Sequence, residues 1–335
     1  MGALLKQRGE YVDFPKRLSI SVVLALLLLS FTAAAAITQV SPEGVTGKGP
    51  VTNGNKVIYV DSSSRIHIYD VAKMKDVRIS KLGKANFRVQ AAFPAVSDNK
   101  LVWLEMGGKK PQLIVYDLAS GRWSSIRTDG SAVIDESSKP AISGGKVVWS
   151  ANHKIYLRDM DAHIQRYIVD GDDPAIDGDK IAYTRDDDER PDVYYLDLAE
   201  NKDQETLVSN EGDNYYVQLS GDKIIWSDFN TRTGHIDMYD MSSKQIVEVT
   251  SPNDEKDGEE VGEDTGIHPG ISGNKIVYEK YATDSMGSAG IYVYDITSLS
   301  VVQISGISAL QESDPVISGN RVVWVDQEII YTAMV

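Results

Sequence analysis

The chain has 335 residues, no cysteine, and 49 acidic against 34 basic residues, for a formal net charge of −15. So negative a surface repels nucleic-acid phosphates and anionic lipid, and without cysteine there is no disulfide, thiol catalyst or lipid-modified cysteine. With 17 tyrosines and 5 tryptophans against 5 phenylalanines, among frequent Val, Ile, Gly and Asp, the composition favours strands and tight turns over helices.

Residues 1–36 differ in character from the rest. Lys16 and Arg17 precede LSISVVLALLLLSFTAAAA, which gives a positive segment, an apolar run and a small-residue cleavage site in the order of an export signal. The uncharged stretch Leu18 to Ile37 is also long enough to remain as an uncleaved N-terminal anchor. Either reading places residues 37–335 outside the cytoplasmic membrane, secreted or at the cell surface, with membrane contact only through this segment.

The next segment, Ile37 to Ser41 (ITQVS), reads as a strand with no partner nearby in sequence. After it one phrase recurs seven times: GPVTNGNKVIY (49–59), FPAVSDNKLVW (93–103), KPAISGGKVVW (139–149), DPAIDGDKIAY (173–183), YVQLSGDKIIW (216–226), HPGISGNKIVY (268–278) and DPVISGNRVVW (314–324). Each copy reads as strand, two-residue turn, strand, with Gly supplying positive φ in all but the Asp98-Asn99 copy. The basic residue is always present (Lys56, Lys100, Lys146, Lys180, Lys223, Lys275, Arg321), as is an aromatic three residues later (Tyr59, Trp103, Trp149, Tyr183, Trp226, Tyr278, Trp324). Proline heads the first strand, where no ladder bond is lost, with Val217 as the exception.

A third strand follows each copy, and in six repeats it closes on an aspartate: Asp70, Asp117, Asp159, Asp197, Asp240 and Asp295. Such a carboxylate can accept backbone N–H groups in an Asx turn. A weaker fourth strand comes next, as in DVRIS, IVEVTS and VVQIS, but the seventh repeat stops after three strands at Val335. ITQVS is of the missing kind. The pattern therefore predicts an all-β, seven-bladed β-propeller of four-stranded antiparallel blades, its last blade closed by Ile37 to Ser41, and it occupies residues 37–335 as a single domain.

P-x-I-S-G-N-K-h-V-W, then I-Y-h-Y-D and h-x-Q-I-S, resembles the TolB-like propeller repeat of archaeal and bacterial cell-surface proteins. The resemblance implies the fold and leaves the activity open, since propellers host unrelated functions. Some TolB-like propellers are lyases that use histidines and a metal. Here His153 and His235 start third strands in different blades, ~10 Å out from the channel, which argues against a shared ion.

In a propeller the loops leading into first strands and those joining second to third strands share one face, called the upper face below. It collects Asp172, Asp173, Asp186, Glu211, Asp213, Asp314 and the loop 251–268. Phe93, Lys139, Asp173, Tyr216, His268 and Asp314 directly precede the first strands and are expected to ring the channel mouth. Asp173, Tyr216, His268, Asp314 and Phe93 are accordingly the candidate ligand-binding residues, while the aromatics repeated on second strands read as core.

The run NDEKDGEEVGED (253–264) offers Asn253, Glu255, Asp257 and Asp264 in calcium-loop spacing, with Gly258 at the turn. The match is loose, because Glu260 stands where an apolar residue is expected, and calcium is the one cofactor the sequence suggests. A solvated acidic rim on an acidic protein accounts for the same residues. The functional expectation is an exported cell-surface propeller that acts as a non-enzymatic binding module through its acidic upper face, for a surface protein or glycan. The alternatives are a carbohydrate-active, lyase-like enzyme working at the channel mouth and a structural component of a surface layer.

Overall fold

Alternating apolar residues build seven four-stranded antiparallel sheets in the computed structural model. It describes residues 36–79, 90–106, 110–126, 134, 138–186, 190–200, 204–210, 213–229, 234–250, 265–281, 289–307 and 313–335. Most of the expected signal segment and the whole calcium-like run, Asn253, Glu255, Asp257 and Asp264 included, lie outside these residues. No helix among the described residues is long and apolar enough to cross a membrane.

Six sheets are continuous in sequence. The seventh is built from both ends of the chain: Thr38–Gln39 pairs antiparallel with Ile329–Met334, with Thr38 opposite Thr332 and Gln39 opposite Tyr331. The N–H of Val40 donates to the Ile330 carbonyl at 2.7 Å, and Ser41 Oγ accepts from the Ile330 N–H at 3.1 Å. Closure in this way gives the last blade its outer strand and removes an open edge.

The repeated second-strand aromatics are core. Trp103, Trp149, Trp226, Trp324, Tyr59 and Tyr183 are fully enclosed, and in four blades the ring stacks on the tyrosine facing it across the third strand: Trp149 on Tyr156, Tyr183 on Tyr194, Tyr278 on Tyr292 and Trp324 on Tyr331. In blade 1 His67 takes that third-strand position and stacks on Tyr59 at 4.9 Å. Asp117, Asp159, Asp240 and Asp295 accept backbone N–H groups from the residues two and three further on, as Asp117 does from Ala119 at 3.1 Å and Ser120 at 2.6 Å, while Asp70 accepts from Lys73 and Asp197 from Ala199. Those bonds, Ser120 foremost, hold the Asp117 carboxyl below its usual range.

The proline position departs from expectation. Pro50, Pro94, Pro174 and Pro269 lie inside their first strands, each as the second residue of a bulge, and Val217 does the same in blade 5. In each case two residues oppose one: Gly49-Pro50 faces Tyr59, Phe93-Pro94 faces Trp103, Asp173-Pro174 faces Tyr183, Tyr216-Val217 faces Trp226, and His268-Pro269 faces Tyr278. A bulge leaves a residue unpaired, so proline's missing N–H costs no ladder bond there, within the strand rather than ahead of it.

The lower turns also do more than reverse the chain. Only the first turn residue is left-handed, with φ of 50° at Asp98, 56° at Gly144, 61° at Gly178 and 58° at Gly319, the pattern of a II′ turn. The turns are tied to one another: Gly144 N–H donates to Ser97 Oγ of the preceding blade, Gly178 to Ser143, Gly273 to Ser220 and Gly319 to Ser272, at 2.9 to 3.1 Å. Several of the recurring basic residues reach the same way, Lys146 to Asp179, Lys275 to Asn320 and Arg321 across the closure to the Gly54 carbonyl.

Candidate functional site

The bulges fix what faces the channel mouth. The first bulge residue is left-handed in five blades, with φ of 54° at Gly49, 50° at Phe93, 45° at Asp173, 57° at Tyr216 and 51° at His268, and Asp314 just before blade 7 joins them at 39°. Left-handed backbone is uncommon for residues other than glycine and disfavours phenylalanine and tyrosine especially. Its repetition around one ring re-aims successive side chains toward a common space.

That space is a cavity of about 650 Å³, lined by Gly49, Phe93, Lys139, Asp173, Tyr216, His268 and Asp314, the prolines that follow all of these but Tyr216, and Lys48. All five candidate binding residues therefore line one cavity, though four sit within strands at bulges rather than ahead of them. The volume suits a small ligand or the tip of a larger one. The lining carries both signs: two carboxylates, two ammonium groups, an imidazole and two aromatic rings, which is more mixed than an acidic rim.

The contacts within the ring are specific. Lys139 Nζ reaches over blade 4 to lie 5.4 Å from the centre of the Tyr216 ring. The His268 ring meets that same tyrosine edge-to-face at 4.4 Å. Asp173 is open to channel water but enclosed by the walls around it, and this desolvation raises its carboxyl above the usual range, with Lys139 opposing and Asp172 adding.

Behind His268 lies Glu279, fully buried, with Oε2 3.5 Å from His268 Nδ1 and 3.1 Å from the Ser313 N–H that it accepts. The position after the repeated aromatic is Val60, Leu104, Ser150, Thr184, Ser227 and Val325 in the other blades. Blade 6 alone places an ionisable residue there, and blade 6 alone places a histidine at the mouth. The glutamate was visible in the aligned repeats as a departure at a core position; only its contact with His268 needed the fold.

Two further clusters centre on third-strand histidines, with partners from the strands beside them. In blade 1, His67 lies between Asp76 at 2.6 Å from Nδ1 and Asp61 at 3.2 Å from Nε2, while Arg65 pairs with Asp61 at 2.7 Å. In blade 5, Asp228, His235 and Asp237 hold the positions of Asp61, Arg65 and His67 and bring one ligand atom each within 4.8 Å of one another. The separations from His235 Nε2, 3.9 Å to Asp228 and 3.6 Å to Asp237, are longer than hydrogen bonds. His153 keeps to its own partner, Asp172, at 2.6 Å, so His153 and His235 share no site.

No family model matches the chain, and no curated protein matches it. Solved structures do. A TolB structure from Agrobacterium tumefaciens has 17% identity and a TM-score of 0.51 over 73% of this chain and 89% of that one. An oligogalacturonate lyase from Vibrio parahaemolyticus has 11% identity and a TM-score of 0.62 over 91% and 95%. The β-propeller domain of the Trilobed protease from Pyrococcus furiosus, described as having an open velcro topology, has 14% identity and a TM-score of 0.60 over 86% and 93%. These likenesses are of fold, and the strand pairing at Thr38–Gln39 distinguishes the present ring from an open closure.

Proposed function

We propose that the protein is an exported, cell-surface propeller that works as a binding module, with the channel mouth on its upper face as the ligand seat. The observation that carries this reading is the ring of left-handed residues: Phe93, Asp173, Tyr216, His268 and Asp314 are strained one by one and converge on one cavity. The left-handed position recurs with the bulge, but in these blades it is filled by residues other than glycine, and such outliers cluster at functional sites. The fold scaffold itself is uniform, with its turns and second-strand aromatics repeated, whereas the mouth residues differ from blade to blade.

The lyase-like alternative draws on one observation, the buried Glu279 behind His268, an arrangement that orients an imidazole toward a channel. It requires turnover of a polysaccharide by the pure protein, and binding without product formation leaves the module reading in place.

The test is retention of the full chain on cell-envelope, glycan and immobilised surface-protein preparations. Asp173→Lys and Asp314→Lys are expected to lose retention, and Asp70→Lys on the lower face to keep it. Equal retention by all three removes the mouth from consideration. Fractionation of the producing cell checks the export half of the reading separately.

A further inference from the structure

We propose that the mouth takes a primary ammonium group, as carried by a lysine side chain of a partner, and that Lys139 is the resident competitor for that seat. This deepens the binding reading above and rests on it.

Lys139 supplies blade 3's side chain to the ring. It is exposed, yet its Nζ bypasses the neighbouring blade to stand over Tyr216 in blade 5 at 5.4 Å. A cation within about 6 Å of an aromatic centroid is held by the ring quadrupole. The ammonium also acts electrostatically on Asp173, which lies between the two in the ring. The chain's own lysine thus marks a place where an ammonium is favourable: an aromatic face, a carboxylate beside it and a second carboxylate, Asp314, in the same cavity.

The hold is weak. A cation–π contact at an exposed site contributes about 0.5–1 kcal/mol, and a lysine side chain regains rotamer freedom when it swings out. A ligand ammonium could displace Lys139 without moving any part of the blades. An anionic ligand would meet Asp173 and Asp314 beside the lysine, and a neutral sugar would have no charge with which to displace it. The formal charge of −15 raises the local concentration of cationic partners near the surface.

The probes are three capped tripeptides, acetyl-Gly-X-Gly-amide with lysine, norleucine or glutamate at X, titrated into the full chain and followed by calorimetry and protein NMR. The lysine peptide is expected to bind saturably with shifts at the mouth residues, and the norleucine peptide not to bind. Lys139→Met, which keeps the volume and removes the charge, should tighten the lysine peptide ~2–5-fold, the factor equivalent to the lost competing contact. Asp173→Asn should weaken it by a similar or larger factor. Binding of the glutamate peptide that Lys139→Met abolishes overturns the proposal, because the seat then takes anions. Lysine-peptide binding indifferent to both substitutions also overturns it, since the peptide is then bound elsewhere. Envelope retention that Asp173→Lys abolishes, with no lysine-peptide binding, sinks the ammonium class and leaves the binding role standing; loss of both sinks the two together.

Discussion

Nδ1 of His268 stands 3.5 Å from Oε2 of Glu279, and that oxygen also accepts the backbone N–H of Ser313, the residue before Asp314. One fully buried carboxylate thereby braces two neighbouring members of the mouth, His268 in blade 6 and Asp314 in blade 7. Glu279→Ala is expected to lower the unfolding free energy by about 1–3 kcal/mol, because the Ser313 donor loses this acceptor in a buried place. Glu279→Leu copies the residue blade 2 has at this position and fills the space. It should recover the part of the loss that comes from the vacated space, but neither the Ser313 acceptor nor ligand retention. Urea denaturation beside the retention assay separates the two effects; recovery of both by leucine would reduce Glu279 to a packing residue.

His67 predicts the pH dependence of folding. Burial disfavours its charge, but hydrogen bonds and attraction from Asp76 and Asp61 outweigh burial and raise the imidazole's pKa. A group whose pKa is raised on folding stabilises the fold below its unfolded pKa, near 6.5, and that contribution is lost as pH rises through the folded value. His235, raised chiefly by the Asp237 carboxylate beside it, acts in the same direction. The unfolding free energy should therefore decline as pH rises from below about 6.5 through the raised folded values. In the double variant His67→Gln/His235→Gln this part of the decline should disappear. Denaturation curves at several pH values check it, and an unchanged slope would show that neither imidazole is linked to folding in that window.

Most of the fold was legible in the sequence because a propeller writes the same physical requirement seven times. A single two-residue turn between apolar runs suggests a hairpin; seven of them, each followed by an aromatic at fixed distance, specify a blade, and ITQVS against the short last repeat specifies the closure. Relations across blades were not legible. That Ser272 Oγ meets Gly319 N–H, or that Lys139 lies over Tyr216, depends on the spacing between sheets, which no local pattern encodes. The mouth residues can be named from their place ahead of the repeat; Pro140 and Pro315 do head their strands, whereas Pro50, Pro94, Pro174 and Pro269 belong to bulges. The bulge is what turns Phe93, Asp173, Tyr216 and His268 inward.

The lower turns should tolerate residues according to backbone conformation alone. Gly178 has φ of 61°, and a Cβ there would meet nothing within 4 Å. Gly178→Ala is thus expected to cost about 1–2 kcal/mol, the usual cost of a left-handed L-residue. Gly178→Asn should cost less and Gly178→Val more. Asp98, which holds the equivalent place in blade 2 at 50° without glycine, is the natural precedent for the asparagine. Thermal or urea unfolding of the three variants gives the order, and a valine no worse than asparagine would contradict the assigned turn.

Ring closure can be tested through one side chain. Val40 is 3% exposed and packs with Val57, Tyr59, Val325 and Ile330, so it joins the first blade to the last. Ile37, three residues earlier, is 47% exposed. Val40→Asp places a carboxylate in that apolar cluster, where an unpaired charge is strongly disfavoured, and should cost at least about 3 kcal/mol. Ile37→Asp should change stability by no more than about 0.5 kcal/mol, as surface substitutions generally do. The consequence of Val40→Asp goes beyond stability. Once Thr38–Gln39 detaches, the backbone of Ile329–Met334 becomes an unpaired edge able to add a strand from another molecule. Size-exclusion chromatography of that variant should show association at temperatures where the Ile37→Asp protein stays monodisperse. A Val40→Asp protein with parental stability would mean that the terminal strand is not what holds the ring shut.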